Sequence, residues 1–109
     1  MLLFKKKFLD AIRDGTKTQT IRVWKWPHVR AGQISYVPGI GKIRITSIAP
    51  VELAALTAED ARLDGFESAD SLRREIADIY GDKLLGGYRL FKIGFEVAKR
   101  RKKRATKSE

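Results

Sequence analysis

Cysteine is absent from this 109-residue chain, which excludes disulfide bonds, thiolate catalysis and thiolate metal sites. The one histidine, His28, argues against a His-rich zinc site, so we expect neither a metal nor a cofactor. No apolar run approaches the roughly 20 residues of a bilayer-spanning helix. The opening segment MLLFKKKFL is too short and too interrupted by lysine for a secretory signal. We therefore expect a cytoplasmic protein that makes no membrane contact.

Positive charge is abundant but unevenly distributed. Of the formal net charge of +10, residues 99–109 contribute +6 through seven Lys/Arg and one Glu, which leaves +4 for the other 98 residues. We predict one folded domain at 1–98 and a basic, disordered tail at 99–109. The tail is either a solvated terminus or a non-specific contact to RNA or DNA phosphates, and it does not define the function. The oligomeric state is not readable from the chain.

Apolar periodicity and turn residues predict the order helix, three strands, two helices, strand. The first helix is predicted over about Phe4–Asp14 with Gly15 as its stop, and the first strand over Thr20–Trp26 with Pro27 as its end. The segments ISYV and KIRITSI are predicted as the next two strands. This order disfavours a parallel doubly wound sheet and favours an α+β fold, with a small and mostly antiparallel sheet or barrel.

Two helices and a closing strand are predicted in the second half. Thr57 is expected to begin a short helix that stops near Gly65, and Ser68 or Asp70 to cap the next one. The second helix is predicted to bury a stripe of Leu72, Ile76 and Ile79 and to end at Gly81. The strand RLFKIGFEV is predicted to place Phe91, Ile93, Phe95 and Val97 on one face.

The segment GTKTQTIR, residues 15–22, concentrates two cations, three hydroxyls and an amide between a helix end and a strand. In a straight strand Lys17 and Thr20, three positions apart, point to opposite faces. They converge only if the strand begins at about Gln19 and Lys17 lies in the preceding turn, which Gly15 permits. The segment is therefore predicted to form a ligand or catalytic site.

The pattern G-x-K-x-x-[ET]-x-R after an amphipathic helix resembles the signature of ASCH domains. The resemblance extends from about Phe4 to Val97 and includes AGQ-ISYV, ARLDGF, IADIYG and KIGFEV. It implies a small PUA-like β-barrel, mostly antiparallel with about five strands, with helices packed outside. It also implies kinship with RNA-binding modules.

The threonine form KTxTIR is similar to small bacterial amidohydrolases that remove the acyl group from N(4)-acetylcytidine. This resemblance implies Lys17, Thr20 and Asp64 as catalytic residues. Those enzymes typically carry Glu where this chain has Asp64, which is one methylene shorter. Glu59 and Glu67 are the nearby substitutes.

The chemistry of such a site constrains each role. A threonine hydroxyl becomes a nucleophile when a base takes its proton. Lys17 serves as that base only if its pKa falls from about 10.4, and burial and Arg22 both act in that direction. Asp64 is interpreted as a partner for the cytosine ring or a proton shuttle to the leaving amine. Backbone N–H groups or Arg22 are candidates to stabilise the oxyanion.

Four further residues are predicted to bind substrate: Gly15, Arg22, Trp26 and Tyr80. Trp24 and Trp26 share a face of the predicted strand and either stack on a base or close the barrel, with Trp26 the better candidate for a pocket wall. His28 is interpreted as a loop residue rather than a general base.

The sequence is compatible with two functions. The first is an amidohydrolase acting on N(4)-acylated cytosine nucleosides, with a small-molecule nucleoside as partner. The second is an RNA-binding ASCH module, in which ribonuclease activity is a further option, that uses the same cleft. The fold alone does not decide between them.

Overall fold

The computed structural model describes residues 2–98, and the predicted tail at 99–109 lies outside the described residues. Short 3-10 turns occur at Lys6–Phe8 and Leu53–Ala55. The helices are α1 (Leu9–Asp14), α2 (Ala58–Asp64) and α3 (Ala69–Leu85), and the strands are β1 (Gln19–Trp24), β2 (Ile34–Val37), β3 (Gly41–Val51) and β4 (Arg89–Val97). No helix in the described part of the chain is long and apolar enough to cross a membrane.

The strands form one antiparallel sheet with the order β1-β4-β3-β2. A bulge between Ile45 and Ser47 interrupts the register of β3 against β4. Gly94 lies opposite this bulge, where an added Cβ would approach Ser47 Oγ to 2.6 Å, so the hydroxyl would have to move. Bulges increase the local twist of a sheet, which is consistent with the curled half-barrel observed here.

The predicted α+β, PUA-like fold class is confirmed. The sheet of the described residues has four strands where about five were predicted. The 11-residue β3 pairs with β2 near its start and with β4 along most of its length.

Apolar side chains form two clusters. Alternation along β4 places Phe91, Ile93 and Phe95 in the larger cluster, and Leu90 in the second cluster, where α2 and α3 pack. The predicted apolar face of this strand is therefore confirmed, with Val97 partly buried at its end.

Helix ends follow the local chemistry in one helix and not in another. Thr57 and Asp60 form a capping box at the start of α2, and Gly65, with a φ of +89°, ends it as predicted. Ser68 caps α3. The predicted end of this helix at Gly81 is wrong, because a glycine in a helix interior costs only about 1 kcal/mol and does not terminate the helix when later turns are stabilised.

Two further boundaries differ from the prediction. The first helix contains only Leu9–Asp14 after a 3-10 turn, and β1 begins at Gln19 and ends at Trp24. The predicted burial of Ile79 is also wrong, since 52% of this residue is exposed. Ile79 lies at the edge of a cleft between α3 and β1.

Candidate active site

A cleft of about 160 Å³ lies between β1, α3 and the N-terminal segment. It contains three buried polar residues, Lys17, Thr20 and Asp64, among apolar and aromatic side chains. Its other lining residues are Leu3, Phe4, Lys5, Phe8, Ile21, Arg22, Phe66, Leu72, Glu75, Ile76, Ile79 and Tyr80.

The turn between α1 and β1 carries Lys17 into this cleft. Gly15 ends α1 with a φ of +86°, a conformation that glycine adopts without steric cost. The Lys17 backbone N–H donates to Ala11 O at 3.0 Å, and the Thr18 N–H donates to Leu63 O at 3.1 Å. These bonds tie the turn to both α1 and α2, and β1 begins at Gln19 as the motif required.

The ammonium of Lys17 is fully hydrogen-bonded in the resting structure. Its Nζ donates to Gln19 O at 3.0 Å, to Asp64 Oδ1 at 2.8 Å and to Asp64 O. An ammonium has three N–H donors, so each has an acceptor. The rings of Phe4 and Phe8 lie 5.8 and 4.7 Å from Nζ, within the range of a cation–π contact.

Burial moves the pKa values of Lys17 and Asp64 toward each other. Burial lowers the pKa of Lys17, against the opposing effect of the Asp64 carboxylate, and Arg22 lowers it further. Burial raises the pKa of Asp64 to about 6, against the opposing charge of Lys17 and Arg22, and Glu75 adds to the increase. Strongly perturbed pKa values in a cleft are typical of functional sites.

Asp60, one turn before Asp64 on α2, provides a contrast. It accepts hydrogen bonds from Lys92 Nζ at 2.8 Å, Gln19 Nε2 at 3.3 Å and the Thr57 N–H at 3.0 Å. Burial acts to raise the pKa of Asp60, but these hydrogen bonds outweigh it and the pKa is lowered. Asp60 therefore anchors α2 to the sheet as a stable carboxylate, whereas Asp64 lies within reach of proton exchange near neutral pH.

Arg22 contacts the hydroxyl of Thr20. Arg22 Nε donates to Thr20 Oγ1 at 3.3 Å, and Nη2 donates to Leu3 O at 2.7 Å. The guanidinium also stacks over the Phe4 ring at 4.8 Å. A hydrogen bond from a cation favours the ionised form of a hydroxyl. The described hydrogen bonds of Lys17 do not include the Thr20 hydroxyl.

The structure brings together five of the seven predicted site residues. Lys17, Thr20, Asp64, Arg22 and Tyr80 line one cleft. Neither of the predicted substitutes for Asp64, Glu59 and Glu67, lines this cleft, and Glu59 pairs with Arg62 on the exposed side of α2.

Trp26 is not part of this cleft. Because β1 ends at Trp24, the chain turns before Trp26, which is left 66% exposed. The Trp24 ring stacks on His28 with centroids 4.4 Å apart and contacts Phe91, so Trp24 packs against the sheet. The prediction of Trp26 as a wall of this pocket is therefore not supported by its placement.

Gly15 lines a different groove, of about 550 Å³, along α1 and the ends of β3 and β4. Lys17 also borders this groove, but its Nζ bonds to Asp64 in the smaller cleft. The other charged groups of the groove have partners as well: Arg44 pairs with Glu96, Arg13 with Asp10, and Asp14 accepts from the Thr16 hydroxyl. The positive φ explains why glycine occupies position 15, since an added Cβ would have no atom within 4 Å. The smaller cleft carries the perturbed groups and is the better candidate for a functional site.

The sequence did not point to Glu75 as a residue of the site, and it assigned no role in the site to Phe4 and Phe8. The two phenylalanines were assigned to a helix face by spacing, but they cover the cations of the cleft. Glu75 lies on α3 three residues after Leu72 and four before Ile79, and an acid within that apolar stripe was the available signal. No group of three or more His, Cys, Asp or Glu residues within 2–98 forms a metal site.

No protein-family model matches this chain, and no curated protein matches it. Several solved structures do match it. The chain is similar to the hypothetical protein PH0355 with a TM-score of 0.72 at 17% identity, covering 88% of this chain and 95% of that one. It is similar to an ASCH domain from Lactobacillus crispatus JV V101 with a TM-score of 0.66 at 18% identity, covering 82% and 69%. Protein EF3133 from Enterococcus faecalis V583, of the family DUF984, gives a TM-score of 0.64 at 16% identity, covering 91% and 76%.

At these identities the likeness establishes the fold and leaves activity open. The chain has the small α+β, PUA-like fold of ASCH domains. The resemblance inferred from the GTKTQTIR segment is confirmed at this level.

Proposed function

We propose that the protein is an amidohydrolase that removes the acyl group from N(4)-acylated cytosine nucleosides such as N(4)-acetylcytidine. The observation that carries this proposal is the joint burial of Lys17, Thr20 and Asp64 in one cleft, where the pKa of Lys17 is lowered and that of Asp64 is raised. Two titratable groups with environments of this kind can exchange a proton at neutral pH.

The proposed reaction begins with proton transfer from Lys17 Nζ to Asp64 Oδ1, which are 2.8 Å apart. The neutral amine gives up one hydrogen bond to a backbone oxygen and turns its lone pair toward the Thr20 hydroxyl. It then takes the Oγ1 proton while Oγ1 attacks the acyl carbonyl carbon. Such catalytic hydrogen bonds often form only with substrate bound. The C–N bond breaks, Asp64 gives its proton to the leaving nitrogen, and an acyl ester on Thr20 remains.

Water completes the cycle by attacking the ester carbonyl. Lys17 is protonated and Asp64 is ionised after acylation, so the ion pair is already restored at this stage. As the C–Oγ1 bond breaks, one proton of the water passes to Oγ1, and the carboxylic acid leaves. Arg22, which already donates to Thr20 Oγ1, stabilises negative charge at that oxygen. The net reaction consumes one water and releases cytidine and the acid.

The cleft volume supports a pyrimidine substrate. At about 160 Å³ the cleft is smaller than the roughly 300 Å³ at which pockets begin to enclose a whole drug-sized ligand. It has room for a single ring with a short acyl group, and the sugar would lie outside. Phe4, Phe8 and Tyr80 offer flat surfaces for the ring.

The test is release of cytidine and acetate from N(4)-acetylcytidine by wild type and by Thr20→Val and Lys17→Met. We expect wild-type turnover and a loss of at least about 100-fold in kcat for both variants. Thr18→Val is the control for Thr20, since Thr18 lies two residues earlier, in the turn before β1, and lines the other groove. Lys92→Met is the control for Lys17, because Lys92 also pairs with an aspartate of α2. No turnover by folded wild type would reject the proposal.

The second candidate is an RNA-binding module in which the same cleft holds a nucleotide, with ribonuclease activity as an option. It is favoured by three cations that line the cleft, Lys5, Lys17 and Arg22, and by the basic sequence at 99–109. Affinity for single-stranded RNA is compared between the full chain, a chain ending at residue 98, and Lys17→Met. If all affinity is lost with the tail and Lys17→Met changes nothing, the cleft is not an RNA site.

A further inference from the structure

Glu75 is a carboxylate of the cleft for which residues 2–98 provide no hydrogen bond or ion pair. The hydrogen bonds and ion pairs of the cleft among these residues join Lys17 to Asp64 and Gln19 O, and Arg22 to Thr20 and Leu3 O. Helix neighbours do not neutralise it either, since positions three and four residues away hold Ser71, Leu72, Asp78 and Ile79.

The position of Glu75 on α3 is unusual for a surface acid. Leu72, Ile76, Ile79 and Tyr80 line the cleft from the same helix, and Leu72 and Ile76 are buried. Glu75 falls within this otherwise apolar stripe and is half-buried. It is also close enough to Asp64 to contribute to the raised pKa of that group. Like-charge repulsion of this kind is unfavourable.

Glu75 lies at the rim of the cleft. Besides lining the cleft, it borders a shallow depression on the outer side of α3 together with Ser71, Arg74, Asp78 and Ile79. The deep end of the cleft is occupied by the Lys17, Thr20 and Asp64 side chains, which are buried. A ligand whose ring enters the cleft therefore leaves its substituent beside Glu75.

We propose that Glu75 binds the sugar hydroxyls of a nucleoside whose base occupies the cleft, and so selects free ribonucleosides over free bases and 2′-deoxynucleosides. This assignment rests on the proposed function for the identity of the base. A carboxylate offers two oxygens as acceptors and can receive both hydroxyls of a cis-diol at once. Carboxylates recognise ribose hydroxyls in this way in dinucleotide-binding folds.

Charge and position make Glu75 a specificity residue and not a participant in bond breaking. The leaving nitrogen and the acyl carbon lie at the deep end beside Thr20 and Asp64, whereas the sugar is the part of the substrate that reaches the rim. Its loss should therefore weaken binding of substrates that carry the sugar, and any effect on the chemical step through the pKa of Asp64 should not depend on the sugar. A site that hydrogen-bonds a substrate hydroxyl discriminates against analogues that lack it.

The experiment compares N(4)-acetylcytidine, its 2′-deoxy analogue and N(4)-acetylcytosine with wild type, Glu75→Gln and Glu75→Leu. For wild type we expect kcat/KM to fall about 10-fold or more from the ribonucleoside to the free base. In Glu75→Leu this preference should disappear through a raised KM for the ribonucleoside, whereas any change of kcat caused by a lower pKa of Asp64 should be the same for all three substrates. Glu75→Gln, which keeps one acceptor oxygen, should lie between them. Asp82→Asn, about two turns further along α3 and exposed, is the control and should keep the wild-type preference.

Binding measured by calorimetry separates this inference from the proposed function. Cytidine and cytosine are titrated into the same variants. If amides are hydrolysed but Glu75→Leu retains the ribonucleoside preference, the assignment of Glu75 is overturned and the activity remains. If no amide is hydrolysed but cytidine binds more tightly than cytosine only when Glu75 is present, the activity is rejected and the sugar site remains. No turnover together with no cytidine binding rejects both.

Discussion

Lys17 and Asp64 form an ion pair with Nζ and Oδ1 2.8 Å apart and with side chains only 2% and 7% exposed. The two residues are 47 positions apart in the chain. Burial of such a pair removes both charges from water, and this cost can exceed the attraction between them. The raised pKa of Asp64 indicates that the cost prevails for the carboxylate. The pair is therefore an arrangement that favours proton exchange at the expense of stability.

We predict that Asp64→Asn abolishes amidohydrolase activity without destabilising the protein at pH 7. The amide retains an oxygen acceptor for Lys17 and removes the charge whose burial is unfavourable. Stability is measured by urea unfolding, and the expected result is a free energy of unfolding equal to or above that of wild type. A loss of about 3–5 kcal/mol, as for a buried charge deprived of its partner, would show that attraction to Lys17 outweighs burial.

The pH dependence of this difference follows from the pKa of Asp64. Its value is about 6 in the folded chain against 3.8 for an ordinary aspartate. The folded state therefore holds a proton that the unfolded state has released in this window, and wild-type stability falls as pH rises through it. We expect wild type and Asp64→Asn to be equally stable below the window. Above it, wild type should be less stable by roughly 3 kcal/mol at most.

Unfolding curves at pH 3.5, 5 and 7 measure this difference for the two proteins. Asp60→Asn is a useful contrast because the pKa of Asp60 is lowered by its hydrogen bonds. Stability due to Asp60 is present at neutral pH and is lost as pH falls through its folded pKa, so the sign is opposite. The same sign for both variants would contradict the difference between the two carboxylates.

Arg22→Lys should reduce activity although it preserves the charge. One guanidinium donates to Thr20 Oγ1 and to Leu3 O, and a lysine lacks the planar fork that spans both acceptors. We expect kcat/KM for N(4)-acetylcytidine to fall about 10- to 100-fold, the usual effect of losing a hydrogen bond to a charged group. Arg44→Lys, at an exposed pair with Glu96, is the control and should retain full activity. Full activity of Arg22→Lys would remove Arg22 from the proposed mechanism.

Gly81→Ala should stabilise the protein by about 0.5–1 kcal/mol. Gly81 lies inside α3, and an added Cβ has no atom within 4 Å. Alanine in a helix interior loses less backbone freedom on folding than glycine does. Gly65→Ala is the matched contrast, since its φ is +89° and its Cβ would lie 3.3 Å from the Phe8 ring. Thermal melts should show opposite shifts, and a destabilised Gly81→Ala would contradict the placement of Gly81 within the helix.

Local chemistry made several features predictable. Alternation along β4, the cap at Thr57 and the glycine ends at Gly15 and Gly65 each depend on neighbours a few residues away. The expectation that Lys17 precedes a strand beginning at Gln19 had the same basis. The end of α3 was not predictable in this way, because the second apolar cluster packs against Tyr80 and Leu84 and so extends the helix past Gly81.

The amino-acid sequence by itself determined the Lys17–Thr20 motif, the fold class and the amphipathic pattern of each element, since these follow from short-range conformational preferences. Only the tertiary structure decided that Asp64 reaches Lys17, that Glu75 borders the same cleft, and that Trp26 lies elsewhere. The reason is that such contacts depend on how α2 and α3 dock against β1, through bonds such as that from the Thr18 N–H to Leu63 O. Docking across more than 40 residues of chain is set by the packing of whole surfaces, which no local pattern encodes.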